Sequence, residues 1–91
     1  MAKDEKPVFL QKLANAQERV WNGDFKFLGA NFLSEIREAG LPIADDESRE
    51  ELANNPICIA VDRGRKFCTQ KEREDMKEAA WQHYLSLPLV A

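Results

Sequence analysis

A run of five apolar residues from Ile57 to Val61 constrains the fold of this 91-residue chain more than any other feature. Three of the five are β-branched, which is typical of a strand. Residues 62–65 follow as a turn in which Gly64 is free to adopt positive φ, and residues 66–69 return as a second strand. The sequence therefore predicts a β-hairpin in the second half of the chain.

Four other segments have helical patterns. Apolar residues recur every three or four positions in the first two segments, and the acidic first turn of the third suits the positive end of a helix dipole. Thr69 and Glu72 have capping-box spacing at the start of the fourth. The predicted helices are Pro7–Trp21, Leu28–Ala39, Asp45–Leu52 with an aspartate as N-cap, and a last helix from Thr69 to Pro88.

These elements define a predicted fold. A two-stranded hairpin is not stable alone in water, so it must pack on the helices. The predicted fold class is α+β and mostly α, with three helices, a β-hairpin and a C-terminal helix. A chain of 91 residues fits a single domain, 1–91.

Composition and motifs exclude several functional classes. No segment approaches the roughly 20 apolar residues that span a bilayer, and the N-terminus lacks a signal peptide, so we expect a cytoplasmic protein. Cys58, Cys68 and His83 match no common zinc spacing, which predicts no metal. No phosphate-binding loop, nucleophile elbow or paired carboxylates occur, so we expect no cofactor and no enzymatic activity.

Residues 56–72 contain a predicted strand, turn, second strand and helix start in succession. A Pro-Ile strand leads to a glycine turn at Gly64, an aromatic strand with Phe67 and an acid-rich helix. Three helices followed by such a hairpin resemble the winged-helix DNA-binding domains of small phage and plasmid proteins, over about a third of the chain. The resemblance implies a small regulatory protein that contacts DNA, with residues 45–52 or residues 28–39 as the helix in the groove.

The positive charges favour the same function, although the net charge is −3. Five bases against one acid lie in residues 63–73, and nucleic-acid affinity comes largely from cations that displace counterions. Alternatively, these bases only protect strand edges from mispairing. The predicted nucleic-acid-binding residues are Arg63, Arg65, Lys66, Lys71 and Arg73.

A second function is predicted by the acidic segment 45–51, which carries five acids against Arg49 and would repel DNA. The chain would then be an acidic adaptor or inhibitor that binds a host protein without nucleic acid. Aromatic residues of the last helix would add a contact or a homodimer interface, or else belong to the core. The predicted protein-interface residues are Asp45, Asp46, Glu50, Trp81, Tyr84 and Leu87. His83 is predicted to be buried or half-buried.

Overall fold

The computed structural model describes residues 2–44, 46–64 and 68–87. In this part of the chain the secondary structure consists of five helices and no strand. They are α1 (Ala2–Gly23), α2 (Ala30–Glu38), α3 (Arg49–Ala53), α4 (Pro56–Arg63) and α5 (Gln70–Ser86). None of them is long and apolar enough to cross a membrane. The predicted α+β fold with a winged-helix arrangement is therefore wrong.

Helix α4 occupies the segment that was predicted as the first strand of the hairpin. Asn55 is its N-cap, because the side-chain oxygen accepts a hydrogen bond of 2.9 Å from the backbone N–H of Ile57. Pro56 takes the first helical position, where its missing N–H costs nothing. Four residues are buried at helical rather than alternating spacing: Ile57, Cys58, Ala60 and Val61. This burial overrides the strand propensity of the β-branched residues.

Gly64 caps α4 in a right-handed conformation with φ −63°, not in the positive φ that the predicted turn required. Its role is close packing, because a Cβ at this position would overlap the side-chain amide of Gln17 on α1. Residues 65–67 of the predicted second strand lie outside the described residues. Thr69 then serves as the N-cap of α5, and its capping box with Glu72 is confirmed.

The core is built around α1, which packs against α2, α4 and α5, while α4 also packs against α5. The buried face of α1 repeats every three or four residues, as the apolar pattern predicted. Its members are Phe9, Leu13, Ala16 and Val20. The other helices and the link after α2 contribute Phe32, Ile36, Leu41, Ile43, Leu52, Ile57, Cys58, Ala60, Val61, Ala80 and Trp81.

Two helix starts differ from the prediction. Helix α1 begins at Ala2, so Pro7 lies inside the helix rather than at its first position. Helix α2 begins at Ala30, because Leu28 has φ 63° and Gly29 is extended. The left-handed conformation at Leu28 cannot continue into a helix.

The start of α3 also differs from the prediction. Its N-cap is Ser48 rather than an aspartate, so the helix begins at Arg49. Ser48 and Glu51 form a reciprocal capping box, which is the same sequence signal that correctly located α5.

Candidate functional site: an acidic groove

An open groove of about 620 Å³ lies between the α3 region and the C-terminal half of α5. We call it the acidic groove, because three of its lining residues are glutamates and none of the described ones is a lysine or arginine. The groove is lined by Glu47, Ser48, Glu50, Glu51, Asn54, Asn55, Pro56 and His83.

One wall is fixed by the capping box of α3. The hydroxyl oxygen of Ser48 accepts a hydrogen bond from the backbone N–H of Glu51 at 3.1 Å, and the N–H of Ser48 donates to the Glu51 carboxylate at 2.9 Å. The backbone N–H of Ser48, and to a smaller extent its side chain, lower the pKa of Glu51 through hydrogen bonding to the carboxylate. Glu51 therefore stays ionised and holds the turn in shape.

Asn55 links the groove to the core. It is only 4% exposed, and while its oxygen caps α4, its amide nitrogen donates to the carboxylate of Glu47 at 3.4 Å. The charge of Glu47 also reaches Cys58, which lies behind the groove. Burial first, and then this negative charge, raises the pKa of the Cys58 thiol to about 12.

Glu50 is an exposed glutamate of the groove, like Glu51, but it takes no part in the capping box. Its backbone carbonyl accepts a hydrogen bond of 3.0 Å from the side chain of Asn54, but its carboxylate makes no hydrogen bond or ion pair with any described residue. Glu50 is therefore available to a cation from outside the molecule.

His83 faces these residues from α5. The residue is half-buried, as predicted, and its Nε2 atom is buried with no hydrogen-bond partner among the described residues. An unsatisfied buried nitrogen carries a desolvation cost. The sequence pattern located His83 on a helix, but only the tertiary packing of α5 against α4 and α1 places it in the acidic groove.

Those predicted nucleic-acid contacts that the structure describes lie on helices and not on a hairpin. Arg63 is exposed at the end of α4, and Lys71 and Arg73 lie in the first turns of α5. The ammonium group of Lys71 is 2.9 Å from the carboxylate of Asp75. Arg65 and Lys66 lie outside the described residues.

The predicted protein-interface residues divide between surface and core. Asp46 and Glu50 are exposed, and Asp45 lies outside the described residues. Tyr84 and Leu87 are half-buried. Trp81 is 4% exposed, with its ring centroid 5.5 Å from that of Phe9 and 5.6 Å from that of Tyr84. Trp81 is thus part of the core. The sequence had left open whether the aromatic residues of the last helix belong to the core or to an interface.

No group of three or more histidine, cysteine, aspartate or glutamate side chains suited to a metal ion occurs in the described ranges. Comparison of the chain with protein-family models, with curated proteins and with solved structures found no match.

Proposed function

We propose that this chain is a small non-catalytic adaptor or inhibitor that binds a basic segment of another protein in the acidic groove. The observation that carries the proposal is the groove itself, with three glutamates and no described lysine or arginine in its lining. Carboxylates arranged in this way attract ammonium and guanidinium groups through charge-assisted hydrogen bonds.

The size and shape of the groove support a peptide segment as its occupant. Its volume of about 620 Å³ lies within the roughly 300–1,000 Å³ of ligand-binding clefts, which is enough for several side chains. Glu50 offers a carboxylate without a partner among the described residues, and a cation of the partner would neutralise it.

The groove contains a serine and a histidine, yet its hydrogen bonds do not favour catalysis. In a hydrolase the nucleophile and the base are normally within hydrogen-bond reach of each other. Here the Ser48 hydroxyl accepts from the backbone of Glu51, and Nε2 of His83 has no partner in the described part of the chain. We therefore propose binding rather than catalysis, and a protein rather than nucleic acid, because the glutamates would repel phosphates.

The proposal is tested by the fluorescence anisotropy of a short labelled oligolysine peptide at low and moderate salt. The test variant is Glu47→Gln with Glu50→Gln. The matched control is Glu5→Gln with Glu18→Gln, which removes the same charge from exposed positions on α1. Since an exposed ion pair is worth about 0.2–1 kcal/mol, the groove variant is expected to bind roughly 2- to 30-fold more weakly.

Two outcomes would contradict the proposal. If the groove variant and the control variant weaken peptide binding equally, binding reflects net charge and not the groove. If the peptide does not bind but a labelled DNA duplex does, with loss of binding in Arg63→Ala with Lys71→Ala, the chain contacts nucleic acid instead.

A further inference from the structure

A second cavity, of about 160 Å³, lies between α1, the end of α5 and the link that follows α2. We call it the Val8 cavity, because Val8 is the most exposed apolar residue of its lining. The cavity is lined by Glu5, Val8, Phe9, Lys12, Gly40 and Tyr84. It shares no residue with the acidic groove, so the two surfaces are distinct.

Val8 lies on the surface of α1 without a benefit to the helix itself. It is 55% exposed, more than any other large hydrophobic side chain that the structure describes. A β-branched residue loses side-chain freedom in a helix, so intrinsic propensity does not favour valine at this position. Beside it, the rings of Phe9 and Tyr84 line the cavity with their centroids 4.9 Å apart. An exposed apolar side chain that continues into an apolar cavity is typical of a contact surface.

The volume of the Val8 cavity limits what can enter it. Whole small molecules bind in clefts of roughly 300–1,000 Å³, whereas a cavity of about 150 Å³ accepts a group of the size of benzene. A cavity of about 160 Å³ therefore suits one apolar side chain, such as that of a valine.

Two opposite charges flank Val8 on one face of α1. Glu5 lies three residues before Val8 and Lys12 four residues after it, and positions with these spacings are neighbours along one side of a helix. The stem of Lys12 lies against Gly40, where a Cβ would come within 3.3 Å of Cδ and Cε of the lysine. Neither the Glu5 carboxylate nor the Lys12 ammonium makes a hydrogen bond or ion pair with a described residue. Both charges are therefore available to groups outside the molecule.

The order of these three residues is self-complementary. In a twofold-symmetric interface, residue i of one copy meets residue j of the other, and j meets i. If two copies of α1 pack antiparallel and meet at Val8, Glu5 of each copy lies opposite Lys12 of the other. Parallel packing would instead place like charges opposite each other, which is unfavourable.

We infer that the Val8 cavity is the contact surface of a homodimer, in which antiparallel copies of α1 place Val8 of each chain against the cavity of the other. Two ion pairs between Glu5 and Lys12 enclose the apolar contact. The inference goes beyond the proposed function, because a dimer of this kind carries two acidic grooves and can bind two basic segments at once.

The first test is sedimentation equilibrium of the full chain over a concentration series. The parent chain is expected to show a monomer–dimer equilibrium that weakens as salt is added, because exposed ion pairs are screened. Val8→Ser removes the apolar contact from an exposed position, so this variant is expected to fold and to stay monomeric over the same series. Ala14→Ser, at another exposed position of α1, is the control and should dimerise as the parent chain does.

The decisive experiment reverses one charge in each of two variants. Glu5→Lys makes both flanking charges positive and Lys12→Glu makes both negative, so each variant alone should dimerise at least roughly 2- to 30-fold more weakly, the effect of losing two exposed ion pairs. Mixed in equal amounts, the two variants should form a heterodimer, because each position 5 again faces an opposite charge at position 12. Glu18→Lys, at an exposed position of α1, controls for net charge and should dimerise no more weakly than the parent chain.

Three results would overturn the inference. The first is a parent chain that stays monomeric throughout the series, which would leave the Val8 cavity to a side chain of a different protein. The second is a Val8→Ser variant that dimerises as the parent chain does. The third is a mixture of the two charge variants that associates no better than either variant alone.

The two proposals fail separately. Glu47→Gln with Glu50→Gln removes charge from the acidic groove and should leave the dimer intact. Val8→Ser should lose the dimer and bind oligolysine as the parent chain does, since every residue of the groove belongs to one chain. Glu5→Gln, which is part of the control for the groove, weakens the dimer without changing the groove. If the dimer forms while oligolysine ignores the acidic groove, the proposed function fails and the dimer remains.

Discussion

The side-chain amide of Gln17 donates a hydrogen bond of 2.9 Å to the backbone carbonyl of Ala60 and so joins α1 to the last turn of α4. The contact requires glycine at position 64, because a Cβ there would overlap both the Gln17 amide and the Ala60 carbonyl oxygen. Other amino acids could adopt the backbone conformation of residue 64, but their side chains would be too large for the space. The close approach of α1 and α4 therefore depends on glycine at this position.

Gly64→Ala is expected to lower the free energy of unfolding by about 1–3 kcal/mol, the usual cost of overpacking. Urea denaturation followed by far-UV circular dichroism measures the change. A double-mutant cycle with Gln17→Ala provides the control, since removal of the amide relieves part of the overlap. Strictly additive effects would show that Gln17 and Gly64 are not in contact.

Asn55→Ala is expected to lower the free energy of unfolding by about 1–2 kcal/mol, because it removes the cap of α4 and leaves the N–H of Ile57 without its acceptor. Asn54→Ala is the matched control. Asn54 is exposed and donates to the carbonyl of Glu50 at 3.0 Å, so its loss should cost less. Equal effects in urea denaturation would contradict the assignment of α4 as a capped helix.

The stability of the protein should fall with rising pH because of Cys58. Burial raises its pKa from 9.0 to about 12, so the unfolded chain loses the thiol proton while the folded chain keeps it. The contribution of the buried thiol is fully present below pH 9, and it is lost by about 1.4 kcal/mol per pH unit as pH rises from there towards 12. Urea denaturation of the protein and of Cys58→Ala at several pH values measures the difference. Identical slopes would contradict the prediction.

Acid should weaken the start of α5. Hydrogen bonds from the backbone and side chain of Thr69 lower the pKa of Glu72, so the ionised capping box stabilises the fold above pH 4.5 and loses this contribution as pH falls through the lowered pKa. The melting temperature of Glu72→Gln should therefore depend less on pH in this range than that of the parent chain. Glu18→Gln, an exposed α1 control, should retain the parental slope.

The helices whose signals are local were predictable from the sequence. The stripe of α1 and the capping box of α5 both depend on residues within a few positions of one another. Helix α4 was missed because its β-branched residues favour a strand, although Asn55 and Pro56 form a helix start of a common type. The spacing of the buried residues in α4 confirms a helix. Their burial depends on packing against α1 and α5, which a local sequence pattern does not reveal.

The candidate site was predictable only in part. The acidic segment was apparent from composition, and Glu50 and Asp46 are exposed as a binding surface would require. The position of His83 beside that segment, and the meeting of Val8 with Gly40 and Tyr84, arise from packing between residues far apart in the chain. Trp81 is buried because Phe9 and Tyr84 cover it, a contact that helical periodicity alone does not give.

The acidic groove is lined in part by a short helix that one buried side chain holds to the core. Helix α3 has five residues, and Leu52 is the one that is buried. Such a turn exchanges its amide hydrogens through local opening, without unfolding of the rest of the molecule. We therefore expect the groove to open and re-form locally while α4 stays folded. Occupancy by a partner would appear as slowed hydrogen–deuterium exchange over Arg49–Ala53, with the amides of α4 unchanged.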